Sequence, residues 1–117
     1  MNYLPGTHII ASLHTPNPDL LQFHEGVRTI IDRLIQEHSL QKLGEVYHDF
    51  MPGGFTAVIC LSESHISLHT WPEHGLVNLD IYLSNFQRNN DGTVSNIYEA
   101  LIEYFGAKVT KEQIIDR

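Results

Sequence analysis

Cysteine is almost missing from these 117 residues: Cys60 stands alone. No intrachain disulfide can form, and a reducing cytoplasm is the expected location. Basic residues are scarce as well. Only 7 Lys and Arg face 14 Asp and Glu, for a net charge of -7. Nucleic acid is therefore not expected as a partner, because phosphate binding asks for clustered cations. The acidic balance tolerates cationic ligands. Long apolar runs are lacking too; nothing approaches the roughly 18 residues of a membrane span, so no membrane partner is expected. Met1 to Gly6 hold no basic stretch followed by an apolar one, and no signal peptide is read there. No repeat, low-complexity tract or long linker divides the chain. What is present is globular: 42% hydrophobic and 18% charged residues. Residues 1–117 are expected to form a single domain with its own core.

Pattern and punctuation give the elements. His8 to Leu13 reads as a short strand. Asn17 and Pro18 look like the cap and first position of a helix. Leu20, Phe23, His24, Val27, Ile31, Leu34 and His38 then follow at helical spacing, about five turns. Lys42 to Phe50 reads as a strand and Met51-Pro52-Gly53-Gly54 as a hairpin turn. Phe55 to Leu61 is nearly all apolar, as in a central strand. Ser64 to Thr70 and Leu76 to Leu83 alternate. Thr93 is read as the cap of a second helix carrying Val94, Ile97, Tyr98, Leu101 and Phe105, stopped at Gly106. The tail from Val109 to Arg117 fits an edge strand or a helical turn equally well.

The order β-α-β-β-β-β-α, with hairpin-length links, predicts an α+β fold. It is a two-layer sandwich: an antiparallel sheet with two helices packed on one face. The other sheet face is then left to solvent, a partner chain or a site.

Residues 56 to 84 carry the richest chemistry. On a strand, His65, Ser67 and His69 share one face, and Ser64, Ile66 and Leu68 the other. His65 and His69 stand about 13 Å apart along such a strand, too far to share one ion, and Cys60 has no place beside them. No metal site is read here. The plain alternative is a polar strand whose histidines bond only to their neighbours.

Taken whole, Glu63-Ser64-His65-Ile66-Ser67-Leu68-His69-Thr70-Trp71-Pro72-Glu73 resembles the self-processing site of the small bacterial and archaeal S-adenosylmethionine decarboxylases. A weaker resemblance runs from Gly6-Thr7-His8 to Phe105. It implies an inactive proenzyme. The Ser64 hydroxyl would attack the Glu63 carbonyl and turn the amide into an ester, and β-elimination would cut the chain. Residues 1–63 form one fragment; 64–117 form the other and open with a pyruvoyl group made from Ser64. His69 would assist as an acid/base, and Thr56 stands where relatives carry a supporting hydroxyl. The pyruvoyl ketone would be the cofactor, a built-in electron sink of the pyridoxal type that condenses with the substrate's amine. Glu73 would hold ribose hydroxyls, with Phe50 and Trp71 as aromatics near the adenine. The small relatives pair as homodimers with sites at the junction.

Two stretches depart from the family. Asp80-Ile81-Tyr82-Leu83-Ser84-Asn85 replaces the usual Asp-Val-Phe-Thr-Cys-Gly. Ser84 thus stands at the catalytic cysteine that reprotonates the substrate carbon. Ser12-Leu13-His14-Thr15 also lacks the acidic residue and Gly-Cys pair that relatives often carry there. Three readings stay open at this point. The first is decarboxylation of S-adenosylmethionine for spermidine synthesis. The second keeps the cofactor but takes another amino acid, such as arginine or ornithine. The third is an uncleaved, non-catalytic homologue that pairs with an active subunit.

Overall fold

Val77, Leu79, Ile81 and Leu83 alternate with Asn78, Asp80 and Tyr82, and the chain buries the first set completely or nearly so. This period of two runs through a computed structural model that describes residues 3–117. Met1 and Asn2, which begin the stretch read above for a signal peptide, lie outside the described residues. The elements are β1 (Thr7–His14), α1 (Glu25–Glu37), β2 (Lys42–Asp49), β3 (Phe55–Leu61), β4 (Ser64–Trp71), β5 (Leu76–Leu83), α2 (Asp91–Phe105) and β6 (Lys108–Asp116).

The strands form one six-stranded sheet in the order β2-β3-β4-β5-β1-β6, antiparallel throughout. Both helices pack on the same face. Val27, Ile31 and Leu34 of α1 and Val94, Ile97, Leu101 and Phe105 of α2 meet Ile59, Ile66, Leu68, Leu79 and Ile81 of the central strands. Each such fully buried side chain contributes about 1.5–3 kcal/mol of transfer free energy. This is the expected two-layer α+β sandwich. The tail resolves as β6, which pairs with β1 along its length.

The first helix differs from its expectation. Asn17 does cap a turn and Pro18 does begin it, but that turn is a short 3-10 segment, Pro18–Leu21. The α-helix begins only at Glu25. Tertiary donors take the carbonyls that a continuous helix would need. Thr70 Oγ1 donates to the Leu21 carbonyl at 2.8 Å, and the Gly54 N–H donates to that of Gln22 at 3.1 Å. Phe23, expected on the apolar stripe, is consequently exposed. The second helix starts at Asp91 and not after Thr93, because Asn89 Oδ1 accepts the Asp91 N–H at 2.9 Å and turns the chain earlier. It stops as expected at Gly106, whose φ of 58° is left-handed.

The helix-free face has three registered rows. One holds Val46, Val58, Ser67, Asp80 and Ile10; the next His48, Thr56, His69, Asn78 and Ser12; the third Cys60, His65, Tyr82 and His8. Val46, Val58 and Ile10 leave exposed apolar surface in the first row.

Candidate active site

The link between β3 and β4 is as short as a hairpin allows: Leu61 pairs with Ser64, and only Ser62 and Glu63 lie between. The turn leaves Ser64 at a φ of 131°, a region that L-residues rarely adopt. Strain of this kind persists only where surrounding contacts hold it. Here they do. The Ser84 N–H donates to the Glu63 carbonyl at 2.8 Å, and Leu83 pairs with Ser64. The Glu63 carboxylate accepts Arg88 Nε at 3.1 Å, Arg88 Nη2 at 2.9 Å and Asn90 Nδ2 at 3.1 Å. Arg88 foremost, with Asn90 in support, holds the Glu63 carboxyl below the usual carboxylate range, against a smaller upward push from burial. Glu63 and Ser84 border one cavity of about 370 Å³.

A second group gathers at the far end of the same hairpin. Thr56 pairs with His69 across β3 and β4, and Thr56 Oγ1 lies 2.7 Å from His69 Nδ1. Phe50, Thr56, His69, Trp71 and Glu73 line a cavity of about 280 Å³. Trp71 and Glu73 reach it because Pro72–His74 forms one 3-10 turn closed by Gly75, with a left-handed φ of 59°. Phe50 follows β2, its ring 4.7 Å from that of His48.

The residues singled out from the sequence thus fall into two sets. Glu63, Ser64 and Ser84 lie together, as do Phe50, Thr56, His69, Trp71 and Glu73. The sets do not meet within one chain. Ser64 and His69 are five positions apart on β4, roughly 17 Å at the rise of a strand.

A third cluster escaped the sequence reading. Asp80 Oδ1 lies 2.7 Å from His8 Nε2 and 2.9 Å from His65 Nε2, on the helix-free face. The three ligand-type atoms are mutually within 4.8 Å. Arg117 Nη1 donates to His8 Nδ1 at 3.3 Å, so the His8 proton sits on Nε2 and points to Asp80. The Tyr82 ring lies 5.0 Å from that of His8, beside this network. Alternation alone puts His8, His65 and Asp80 on one face. That β1 lies beside β5 has no signal in the local pattern. Arg88 and Asn90 were missed for the same reason: they lie on the β5–α2 link and act on a distant turn.

Residues 7–117 match the family described as S-adenosylmethionine decarboxylase. The chain is 38% identical over 112 residues to the S-adenosylmethionine decarboxylase proenzyme of Archaeoglobus fulgidus, covering 96% of each. It is 40% identical over 101 residues to the proenzyme of the same name from Picrophilus torridus, covering 86% of this chain and 78% of that one. The crystal structure of the adenosylmethionine decarboxylase from Aquifex aeolicus superposes with a TM-score of 0.84 at 29% identity, over 99% of this chain and 92% of the other.

Proposed function

We infer the chemistry from a premise that the match over residues 7–117 establishes: the chain belongs to the S-adenosylmethionine decarboxylase family. The protein is a self-processing decarboxylase, a lyase made as a proenzyme, and its substrate is S-adenosylmethionine on the route to polyamines such as spermidine. One observation carries the reading. At the Glu63–Ser64 bond, a strained serine follows a carbonyl that already accepts a backbone N–H, that of Ser84.

Ser64 Oγ bonds to the Glu63 carbonyl carbon, and the displaced electron pair moves onto the oxygen facing the Ser84 N–H. A fixed donor at a developing oxyanion is the usual means of lowering such a barrier. The C–N bond breaks, nitrogen keeps the pair, and it takes the hydroxyl proton. An ester now joins residues 63 and 64. A base removes the Ser64 Cα proton, the Cβ–O bond breaks, and Glu63 leaves as a carboxylate. Water and loss of ammonia convert the remaining enamine to a ketone.

His69 is the base, with Nδ1–H donated to Thr56 Oγ1 so that Nε2 keeps its lone pair. His69 is far from Ser64 in its own chain, so the site is composite. A second copy on the helix-free face, with its His69 end at the first copy's β3–β4 turn, supplies His69, Thr56, Phe50, Trp71 and Glu73 to Ser64 and Ser84 at that end of the sheet. The exposed Val46, Val58 and Ile10 support that face as the homodimer contact.

The residues present fit a pyruvoyl group at position 64, because the bond that must break is held against a hydrogen-bond donor with a serine behind it. Formed there, the group supplies a carbonyl electron sink for loss of carbon dioxide. Glu73 accepts the ribose hydroxyls, and Phe50 and Trp71 hold the adenine. Ser84 orients a water for protonation of the substrate carbon.

Release of labelled carbon dioxide tests the substrate. Release from carboxyl-labelled S-adenosylmethionine, and none from arginine or ornithine, is expected. The reverse pattern would overturn the substrate and leave self-processing intact.

A further inference from the structure

We propose that Arg88 and Asn90 are positioning residues for self-cleavage: they lock the Glu63 side chain so that its carbonyl stays on the Ser84 N–H. The proposal deepens the self-processing reading and rests on it.

A two-residue turn needs no anion holder to close. Yet the Glu63 carboxylate takes three side-chain hydrogen bonds, two of them from the fork of a single guanidinium. Bidentate pairing of this kind fixes direction as well as distance. The guanidinium is itself anchored. Arg88 Nη2 also donates to the carbonyls of His38 at 3.0 Å and Ser39 at 3.2 Å, just beyond α1. The grip on Glu63 thus comes from the helix layer, not from a free surface arm.

Asn90 ties the residue that carries the reacting carbonyl to the residue that donates to it. It is 1% exposed. One amide nitrogen donates both to Glu63 Oε1 and to the Ser84 carbonyl, the latter at 2.8 Å. Two acceptors at that nitrogen settle the orientation of the amide. Asn85 Oδ1 accepts the Asn90 backbone N–H at 2.7 Å and holds the residue in place. The cost is visible: Asn90 Oδ1 is buried and has no hydrogen-bond partner among the described residues. An orphaned buried acceptor costs about 1–3 kcal/mol. It is accepted here so that the other end of the amide can tie Glu63 to Ser84.

The bland role for these contacts is to staple the hairpin to the β5–α2 link. Position decides against that as the whole account. Glu63 is the residue whose carbonyl carbon is attacked, and Ser84 supplies the donor to that carbonyl. Fixing both holds the carbon that Ser64 would attack against the donor to its oxygen. It also gives the strained Ser64 two fixed ends, the clamp on one side and the β4 ladder on the other. Arg88 and Asn90 touch neither the bond that forms, Ser64 Oγ to Glu63 carbon, nor the C–N bond that breaks. They act through Glu63.

The test follows cleavage of the full chain by intact mass under denaturing conditions, with and without hydroxylamine. Wild type, Arg88→Gln, Arg88→Lys, Glu63→Gln and His69→Ala are compared, and thermal unfolding is recorded for each. Arg88→Gln should slow cleavage by about 100-fold, the scale of a misplacement near 1 Å, while remaining folded. It should accumulate no ester, so hydroxylamine should release nothing, whereas His69→Ala should accumulate ester that hydroxylamine cuts. Arg88→Lys should recover part of the rate, since it keeps the charge but not the fork. Glu63→Gln should slow cleavage through loss of the ion pair with no loss of shape. Cleavage of Arg88→Gln at the wild-type rate, or a slowing that only follows its unfolded fraction, would overturn the clamp alone. An uncleaved wild type would overturn the self-processing reading itself.

Discussion

Ser64 and His69 occupy opposite ends of β4, Ser64 paired with Leu61 and His69 with Thr56. No side-chain rotation closes roughly 17 Å along a strand. Any step that needs both groups needs two chains.

Complementation follows from that separation. In the proposed mechanism Ser64→Ala chains lack the nucleophile, and His69→Ala chains lack the base. Each alone should stay uncleaved or stall at the ester. If the proposed composite site is right, co-expression gives mixed dimers in which the Ser64 of one chain faces the His69 of the other. The His69→Ala chain, marked by a tag of different mass, should then be cut in a large fraction of mixed dimers. Absence of any cut in purified mixed dimers would contradict a composite site.

Position 84 separates making the pyruvoyl group from using it. In the proposed mechanism its backbone N–H, which bonds the Glu63 carbonyl whatever the side chain, serves cleavage, so Ser84→Cys should self-process at an unchanged rate. The same proposal gives its side chain a part in turnover only. A thiol with a pKa near 8.5 is a usable acid, and a serine hydroxyl is not. Ser84→Cys should raise decarboxylation of S-adenosylmethionine, by up to the ~10²-fold that a positioned acid contributes. Steady-state carbon dioxide release measures this. An unchanged kcat would mean that protonation at carbon is not limited by Ser84.

The Glu63 carboxyl gives a pH dependence with a definite sign. Arg88 first, and Asn90 second, hold its folded-state pKa below the ordinary value. Stability from the clamp is therefore complete above the unfolded value of about 4.3. It is lost as pH falls through the lower folded value. Arg88 stays charged throughout. In an uncleavable Ser64→Ala background, wild type and Arg88→Gln should differ in Tm near neutrality and converge in strong acid. A gap that stays constant down to pH 3 would show that the clamp does not depend on the Glu63 charge.

Much of the fold was legible because one face of each strand is buried, and a period of two survives in the residues. β5 shows it from Leu76 to Leu83 without a break. The first helix was misread where tertiary bonds from Thr70 and Gly54 captured backbone carbonyls, which leave no trace in apolar spacing. Glu63, Ser64, His69, Trp71 and Glu73 were named from the run Glu63 to Glu73, and Phe50, Thr56 and Ser84 from the weaker resemblance around it, but none of this told how the structure groups them. Strand register sends Ser64 and His69 to different ends, and only the ladder reveals it. Arg88 and Asn90 were invisible because an arginine and an asparagine on a polar link look like solvated loop residues. Their partner lies 25 and 27 positions away.

Topology adds a consequence of cleavage. Residues 1–63 hold β1, β2 and β3, and residues 64–117 hold β4, β5 and β6, yet β1 lies between β5 and β6. The two fragments stay interlocked by ladders on both sides of β1. A cut at Glu63–Ser64 is therefore silent in native chromatography, and only a denatured sample exposes it.

Intact mass of the purified chain under denaturing conditions is the most direct measurement. The account predicts two fragments divided after Glu63, the second opening with a carbonyl that a hydrazine reagent labels. A single full-length chain that persists through long incubation would contradict it.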